Sequence, residues 1–117
     1  SIQDPGKRNE TLVACHLLKA VELWTDLGLG EYDLFYIRDK QKREVDFLVS
    51  KDGEPWFLVE VKTSETKLSP TLATMQRATG AKHALQVVFG LPFEAVDCFQ
   101  FPRPMVVPAP TFLSQLP

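Results

Sequence analysis

Near the start of the chain, side chains recur at the three- and four-residue intervals of one face of an amphipathic helix. The repeat follows a Pro5-Gly6 break. Its members are Glu10, Val13, Leu17, Ala20, Val21 and Trp24. Asn9 is suited to cap the helix, because its side chain can accept hydrogen bonds from amides of the first turn. The pattern predicts a helix from about Asn9 to Gly28, with Glu10 at the N-terminal end of the buried face, where the helix dipole alone also favours an acid.

Three β-type runs follow this helix. They are Tyr32 to Arg38, Arg43 to Ser50 and Pro55 to Lys62. Only short, polar, turn-like links separate them, so the pattern predicts an antiparallel meander.

The second half of the chain predicts one more helix and two further strands. A helix is expected from Ser69 to Thr79, since Ser69 can cap it and Pro70 and Gly80 suit its first turn and its exit. Strands are expected at Ala84 to Phe89 and at Val96 to Phe101. The order α-β-β-β-α-β predicts an α/β (α+β) fold in which helices flank a central mixed sheet.

The length of 117 residues and the 44% hydrophobic content predict a single packed domain over residues 1–117. Residues 102–117 are rich in proline, which lacks a backbone donor, so we expect an extended tail with a short turn at Thr111 to Leu116. The opening residues 1–6 resemble a linker. We therefore expect the segment to be the C-terminal part of a longer protein.

Strand alternation gathers the polar residues of two neighbouring strands on one side. Asp46 is expected to share a face with Glu44 and Leu48, and Glu60 to share a face with Leu58 and Lys62. The register that keeps polar and apolar faces apart pairs Leu48 with Leu58, Asp46 with Glu60, and Glu44 with Lys62.

Opposed carboxylates repel unless one is protonated or a positive charge lies between them. A divalent cation such as Mg²⁺ would relieve the repulsion, because it binds carboxylate, carbonyl and water oxygens. Lys62 offers an alternative without metal, a partly buried ion cluster of Asp46, Glu60 and Lys62. The residues alone leave both interpretations open.

These residues carry a family resemblance. Asp46 in the run REVDFLV (43–49), followed by EVK (60–62), resembles the Asp and Glu-x-Lys signature of the PD-(D/E)XK, or restriction-endonuclease-like, superfamily. Val45 stands where that signature has proline. More narrowly, the runs NETLVA (9–14), YIRD (36–39), REVDFLV (43–49) and EVKTS (60–64) resemble a prokaryotic family of uncharacterised domains that form the C-terminal part of AAA-type ATPases. The resemblance covers about residues 8–90.

The resemblance implies a function and a set of site residues. Asp46, Glu60 and the Val61 carbonyl would bind Mg²⁺ (or Mn²⁺), Glu10 would supply a further ligand, and Lys62 would position or activate the attacking water. The implied activity is hydrolysis of DNA phosphodiester bonds by a domain attached to an upstream ATPase. The alternative is a catalytically inactive module of the same fold that binds nucleic acid or protein and regulates the ATPase.

The charge balance restricts where nucleic acid can bind. A net charge of −2 and a pI near 5.6 argue against a generally basic binding surface. A local cluster of cations lies between the first two strands and consists of Arg38, Lys40, Lys42 and Arg43. It is either a contact surface for DNA or a solvated hairpin turn.

Two cysteines and two histidines form neither a disulfide framework nor a zinc-binding spacing, so a reducing cytoplasm is expected. No apolar run approaches 18 residues, and we expect no membrane contact. A homo-oligomer is also compatible with the sequence. Oligomerisation alone would account for Trp24, Trp56 and Phe89 but would leave the carboxylates without a reason.

Overall fold

The computed structural model describes residues 4–38 and 44–117, with Arg38 described in its backbone only. The elements in chain order are α1 (Pro5–Asp26), β1 (Tyr32–Arg38), β2 (Glu44–Lys51), β3 (Glu54–Lys62), α2 (Pro70–Thr79), β4 (His83–Val88), β5 (Met105–Pro108) and α3 (Ala109–Ser114). The predicted α+β organisation, a mixed sheet flanked by helices, is confirmed.

The described strands form one sheet in the order β1-β2-β3-β4-β5. The first three strands pair antiparallel and form the predicted meander, whereas β3, β4 and β5 pair parallel. The parallel step from β3 to β4 requires a crossover, and α2 supplies it. The carboxyl ends of β3 and β4 therefore lie side by side.

Two apolar cores cover the two faces of the sheet. The larger core lies on the face packed by α1 and α3, here the α1 face. It contains Val13, Leu17, Ala20 and Val21 of α1 together with Phe47, Val59, Val87 and Phe112. The smaller core lies on the other side, here the α2 face, and contains Val45, Leu48, Leu58, Leu72, Met75, Ala81 and Ala84. The protein is thus a sheet sandwiched between helices.

The first helix begins one turn earlier than predicted. Asp4 occupies the N-cap position, and its carboxylate accepts a hydrogen bond of 3.0 Å from the Gly6 amide. Pro5 suits the first turn because the backbone N–H that proline lacks would have no acceptor within the helix there. The prediction that Asn9 caps this helix is therefore wrong, since Asn9 lies inside it.

The second helix agrees closely with prediction. Ser69 occupies the N-cap position of α2, and Gly80 ends the helix in the left-handed conformation with φ 75°. Glycine adopts that conformation without the steric cost of a Cβ, so Gly80 provides a local stop signal that the sequence alone reveals.

The C-terminal region differs from prediction. Residues 96–101 do not form a strand, and the fifth strand is Met105–Pro108, followed by α3 rather than by an extended tail. Pro108 is tolerated there because β5 lies at a sheet edge. A side chain of α3 holds the preceding loop in place. The Thr111 hydroxyl accepts a 2.8 Å hydrogen bond from the Glu94 amide and donates a 2.8 Å hydrogen bond to the Glu94 carbonyl.

Strict alternation along β2 fails at Asp46. Phe35 pairs with Leu48 and Ile37 pairs with Val45, so three steps along β2 match two along β1. This β-bulge places Val45 in the α2-face core beside Leu48, the side predicted for Asp46. The prediction that Asp46 shares the face of Leu48 is therefore wrong.

Among the described residues, no helix combines the length and the apolar character that a membrane span requires.

Candidate functional site

Asp46 lies at the end of the pairing between β2 and β3. Backbone pairs include Leu48↔Leu58, as predicted, and end at Phe47↔Val59, so the predicted pairs Asp46–Glu60 and Glu44–Lys62 are not part of the ladder. Instead, Asp46 Oδ2 accepts a 2.7 Å hydrogen bond from the backbone N–H of Val61. The carboxylate thereby replaces a backbone acceptor and is fixed against the strand that carries Glu60 and Lys62.

Glu10 reaches the same place from the second turn of α1. Its side chain is hydrogen-bonded to Asp46, and burial followed by the charge of Asp46 raises the pKa of the Glu10 carboxyl. Two carboxyl groups this close cannot both ionise freely unless a positive charge joins them. The resemblance placed Glu10 near the site, and the structure brings it to Asp46.

Glu60 projects from β3 on the side of Leu58, the α2 face, whereas Asp46 meets Glu10 on the α1 side. The prediction that the two carboxylates share one face of the sheet is therefore wrong. Its side chain is only 14% exposed, and its Oε2 atom is buried without a hydrogen-bond partner among the described residues. Burial raises the pKa of the Glu60 carboxyl. The ammonium of Lys62 opposes this shift, and the negative charges of Asp46 and Glu65 add to it. An unpartnered buried carboxylate oxygen is costly, so this atom marks a place where a cation or donor would be stabilising.

Lys62 ends β3 with its ammonium between two acids. Its Nζ lies 3.8 Å from Glu60 Oε1 and 3.3 Å from Glu65 Oε2. Its carbonyl accepts a 3.0 Å hydrogen bond from the Phe89 amide, which fixes the backbone beside the end of β4. The ammonium therefore lies next to both carboxylates, on a side chain that is 28% exposed.

Gln86 supports this region and was missed by the sequence analysis. It is fully buried on β4 opposite Glu60. Its amide oxygen accepts from the Ser69 amide at 2.8 Å, and its Nε2 donates to the carbonyls of Glu65 and Lys67. These bonds hold the loop that follows Lys62. The available signal was a single amide side chain within the otherwise apolar run ALQVVF (84–89).

Asn9, which was predicted to cap α1, instead links α1 to β3. Its Nδ2 donates a 3.3 Å hydrogen bond to the Thr63 hydroxyl, joining α1 to the end of β3. Both residues lie within runs that carried the family resemblance, NETLVA and EVKTS, so those runs were the signal. The contact helps to bring Glu10 to the carboxylates.

The donor set fits an open, hydrated cation site better than a closed one. In the described part of the chain, no three His, Cys, Asp or Glu side chains come together closely enough to enclose an ion. Mg²⁺ does not need such a cage, since it commonly takes one or two carboxylates and keeps several waters. The unpartnered Glu60 oxygen and the contact between Glu10 and Asp46 are consistent with that kind of ligand.

The predicted nucleic-acid-binding residues cannot be placed. Lys40, Lys42 and Arg43 lie outside the described residues, as does the side chain of Arg38. Their role stays a prediction.

The charge on Glu60 is expected to cost stability when no cation is present. Glu60→Gln should raise the free energy of unfolding by about 1 kcal/mol, because it removes a buried charge whose Oε2 has no described partner. Urea denaturation in EDTA at neutral pH measures the difference. Glu65→Gln is the matched control, since Glu65 is 63% exposed and its substitution should change stability by less than about 0.5 kcal/mol. A clear loss of stability in Glu60→Gln would show that the charge is well compensated.

Fold and site together define the class: an α+β domain whose described strands form one mixed sheet, with Glu10 beside Asp46 on the α1 side of the region where β2 and β3 part and Glu60 beside Lys62 on the α2 side. The chain belongs to the family described as Domain of unknown function (DUF4143), whose family model matches residues 5–108. No curated protein and no solved structure matches the chain significantly.

Proposed function

We propose that this protein is a divalent-metal-dependent nuclease-like domain that hydrolyses DNA phosphodiester bonds. The observation that carries the proposal is the arrangement around Asp46, whose charge adds to burial in raising the pKa of both Glu10 and Glu60, together with the buried Glu60 oxygen that has no described partner. Lys62 at the edge of that group supplies the fourth member of the PD-(D/E)XK resemblance. A structural ion cluster alone gives no reason for Glu60 Oε2 to be buried without a partner among the described residues.

Each residue has a distinct role in the proposed reaction. Asp46 and Glu60, with the Val61 carbonyl, would hold Mg²⁺ or Mn²⁺, and Glu10 would bind on the α1 side. The bound ion would lower the pKa of water and stabilise negative charge on the phosphate. The Val61 amide orients Asp46 through its 2.7 Å hydrogen bond. Lys62 would release Glu65 and place its ammonium beside the attacking water.

The partner we propose is an AAA-type ATPase located upstream in the full-length chain. The support is the resemblance of four sequence runs to domains that follow such ATPases, together with membership of an uncharacterised domain family. An ATPase would supply force or access on DNA, whereas this domain supplies the carboxylates and the lysine.

Metal binding gives the first test, which does not depend on activity. Millimolar Mg²⁺ or Mn²⁺ should raise the melting temperature, because a ligand that binds only the folded state stabilises it by about 2.7 kcal/mol at a concentration one hundred times its Kd. Asp46→Asn should remove most of this gain. Asp52→Asn is the matched control, since Asp52 lies in the β2–β3 turn, where its carboxylate accepts from the Glu31 amide. The absence of any metal effect on melting or on backbone NMR signals near Asp46 would leave only the ion cluster.

Cleavage gives the second test. The protein together with its upstream partner should nick or degrade DNA in Mg²⁺ or Mn²⁺ and not in EDTA, and Asp46→Asn should abolish the reaction. Metal-dependent stabilisation without cleavage of any DNA or RNA substrate would contradict the nuclease proposal.

That last outcome would favour the second candidate, an inactive module that binds nucleic acid or protein and regulates the ATPase. The observation in its favour is the net charge of −2, which is unusual for a protein that must hold DNA by its phosphates.

A further inference from the structure

Tyr36 on β1 is an aromatic residue held in an exposed position. It is 78% exposed, yet its ring lies 5.4 Å from the ring of Phe47, centroid to centroid, at a tilt of 50°. One side of the ring is thus supported by the protein and the other is open to solvent. A large exposed aromatic that is fixed in this way is a common element of a binding surface.

The ring borders the groove that leads to the carboxylates. A cavity of about 430 Å³ is lined by Glu10, Tyr36, Ile37, Glu44, Val45 and Asp46. A second cavity of about 210 Å³ shares Glu10, Tyr36 and Asp46 and continues along α1 past Thr11, Ala14 and Cys15. The larger volume lies within the usual range for small-ligand sites. Tyr36 therefore forms a wall of the same groove in which Asp46 lies.

The chemistry of the groove favours a base over a phosphate. Glu10 and Asp46 bring two neighbouring carboxyl groups to its wall, so a phosphate group would be disfavoured beside them unless a metal ion intervened. A nucleobase is neutral, has a flat face for the tyrosine ring, and presents N–H donors that carboxylates can accept. The phosphate would then lie toward the metal site and the base toward Tyr36.

We propose that Tyr36 stacks an unpaired base of a single-stranded nucleic acid next to the Asp46 site. This inference rests on the proposed function and deepens it by naming the substrate class. A base inside a duplex is already stacked on both sides, so only a single strand, a flap or a frayed end can offer a free face to the ring.

Phe35 provides a matched comparison within the same strand. It is also exposed, at 47%, but it pairs with Leu48, whose side chain belongs to the α2-face core. Tyr36 contacts Phe47 of the α1-face core. The two aromatic residues are therefore neighbours in sequence on opposite sides of the sheet, and only Tyr36 lines the groove.

Binding of two oligonucleotides tests the stacking. Fluorescence anisotropy, with Ca²⁺ in place of Mg²⁺, would compare a thymidine oligonucleotide of about 12 nucleotides with an abasic oligonucleotide of equal length and charge. The wild-type protein should prefer the strand with bases. Tyr36→Ala should weaken binding of that strand by about 5- to 150-fold and leave the abasic strand unchanged. Tyr36→Phe and Phe35→Ala should retain the preference within about twofold.

A second readout uses the wild-type protein alone. Cys15 is exposed and lines the groove, whereas Cys98 is buried and burial raises the pKa of its thiol to about 11. Alkylation at neutral pH should therefore report on Cys15. The thymidine strand should slow this alkylation, and the abasic strand should not.

The outcomes separate the two proposals. If DNA is bound or cleaved but bases add nothing, or if Tyr36→Ala behaves as wild type, the stacking inference is overturned while the nuclease proposal stands. If neither strand binds, slows alkylation or is cleaved, both proposals are overturned.

Discussion

Replacing Lys62 with alanine is expected to reduce DNA cleavage by about 10²- to 10⁴-fold, the usual contribution of a group that activates or positions a reacting water. The reason lies in its position, 3.8 Å from Glu60 Oε1 at the end of the strand that also presents Val61 to Asp46. Single-turnover cleavage of labelled DNA in saturating Mg²⁺ measures the effect. The variant should still bind metal, as measured by the rise in melting temperature, because Lys62 donates no ligand atom to a cation.

The control for this change is Lys82→Ala, which removes the same charge from an exposed position beside the β2–β3 turn. It should cleave within about twofold of wild type. Equal activity of Lys62→Ala and wild type would remove the lysine from the mechanism. Loss of both cleavage and metal-induced stabilisation would instead indicate that Lys62 organises the carboxylates, a structural role.

Much of the fold is predictable because local patterns and tertiary packing agree. The repeat through Leu17 predicts the buried side of α1, and Gly80 predicts the exit of α2 through a conformation that glycine favours. Short polar links predict the meander. In each case a few neighbouring residues determine the outcome, so no distant contact is needed to infer it.

The C-terminal region is not predictable by the same means. Prolines at 104, 108 and 110 suggest an extended tail, yet β5 pairs parallel with β4 at the edge of the sheet. Pairing with β4 and side-chain bonds from Thr111 and Gln115 stabilise the region. Such long-range contacts override local propensity, which is why the expected strand at 96–101 is absent and the fifth strand begins at Met105.

The sequence predicts which residues belong to the candidate site but not the sheet face on which each of them lies. The family resemblance names Glu10, Asp46, Glu60 and Lys62 together, whereas alternation places Asp46 on the wrong face. One extra residue in β2, opposite Tyr36, reverses the alternation, and nothing in the local sequence marks that bulge. The bulge also frees Asp46 to accept the Val61 amide and to meet Glu10 from α1.

Leu17→Ala is expected to lower the free energy of unfolding by about 2–5 kcal/mol, the usual cost of truncating a fully buried leucine. Leu17 is completely buried in the α1-face core together with Val13 and Val21. The cost combines lost apolar burial with the cavity that remains when the surrounding residues relax only partly. Urea denaturation followed by circular dichroism measures it.

The matched control is the neighbouring residue, Leu18→Ala, which makes the same chemical change at a side chain that is 50% exposed. It should alter stability by less than about 0.5 kcal/mol, because an exposed side chain leaves no cavity and alanine is a strong helix former. The contrast tests the face of α1 directly, and that face determines where Glu10 points, since Leu17 lies seven residues, about two turns, beyond it. A loss below about 0.5 kcal/mol in Leu17→Ala, or equal losses in both variants, would mean that α1 packs through another face and that Glu10 does not reach Asp46.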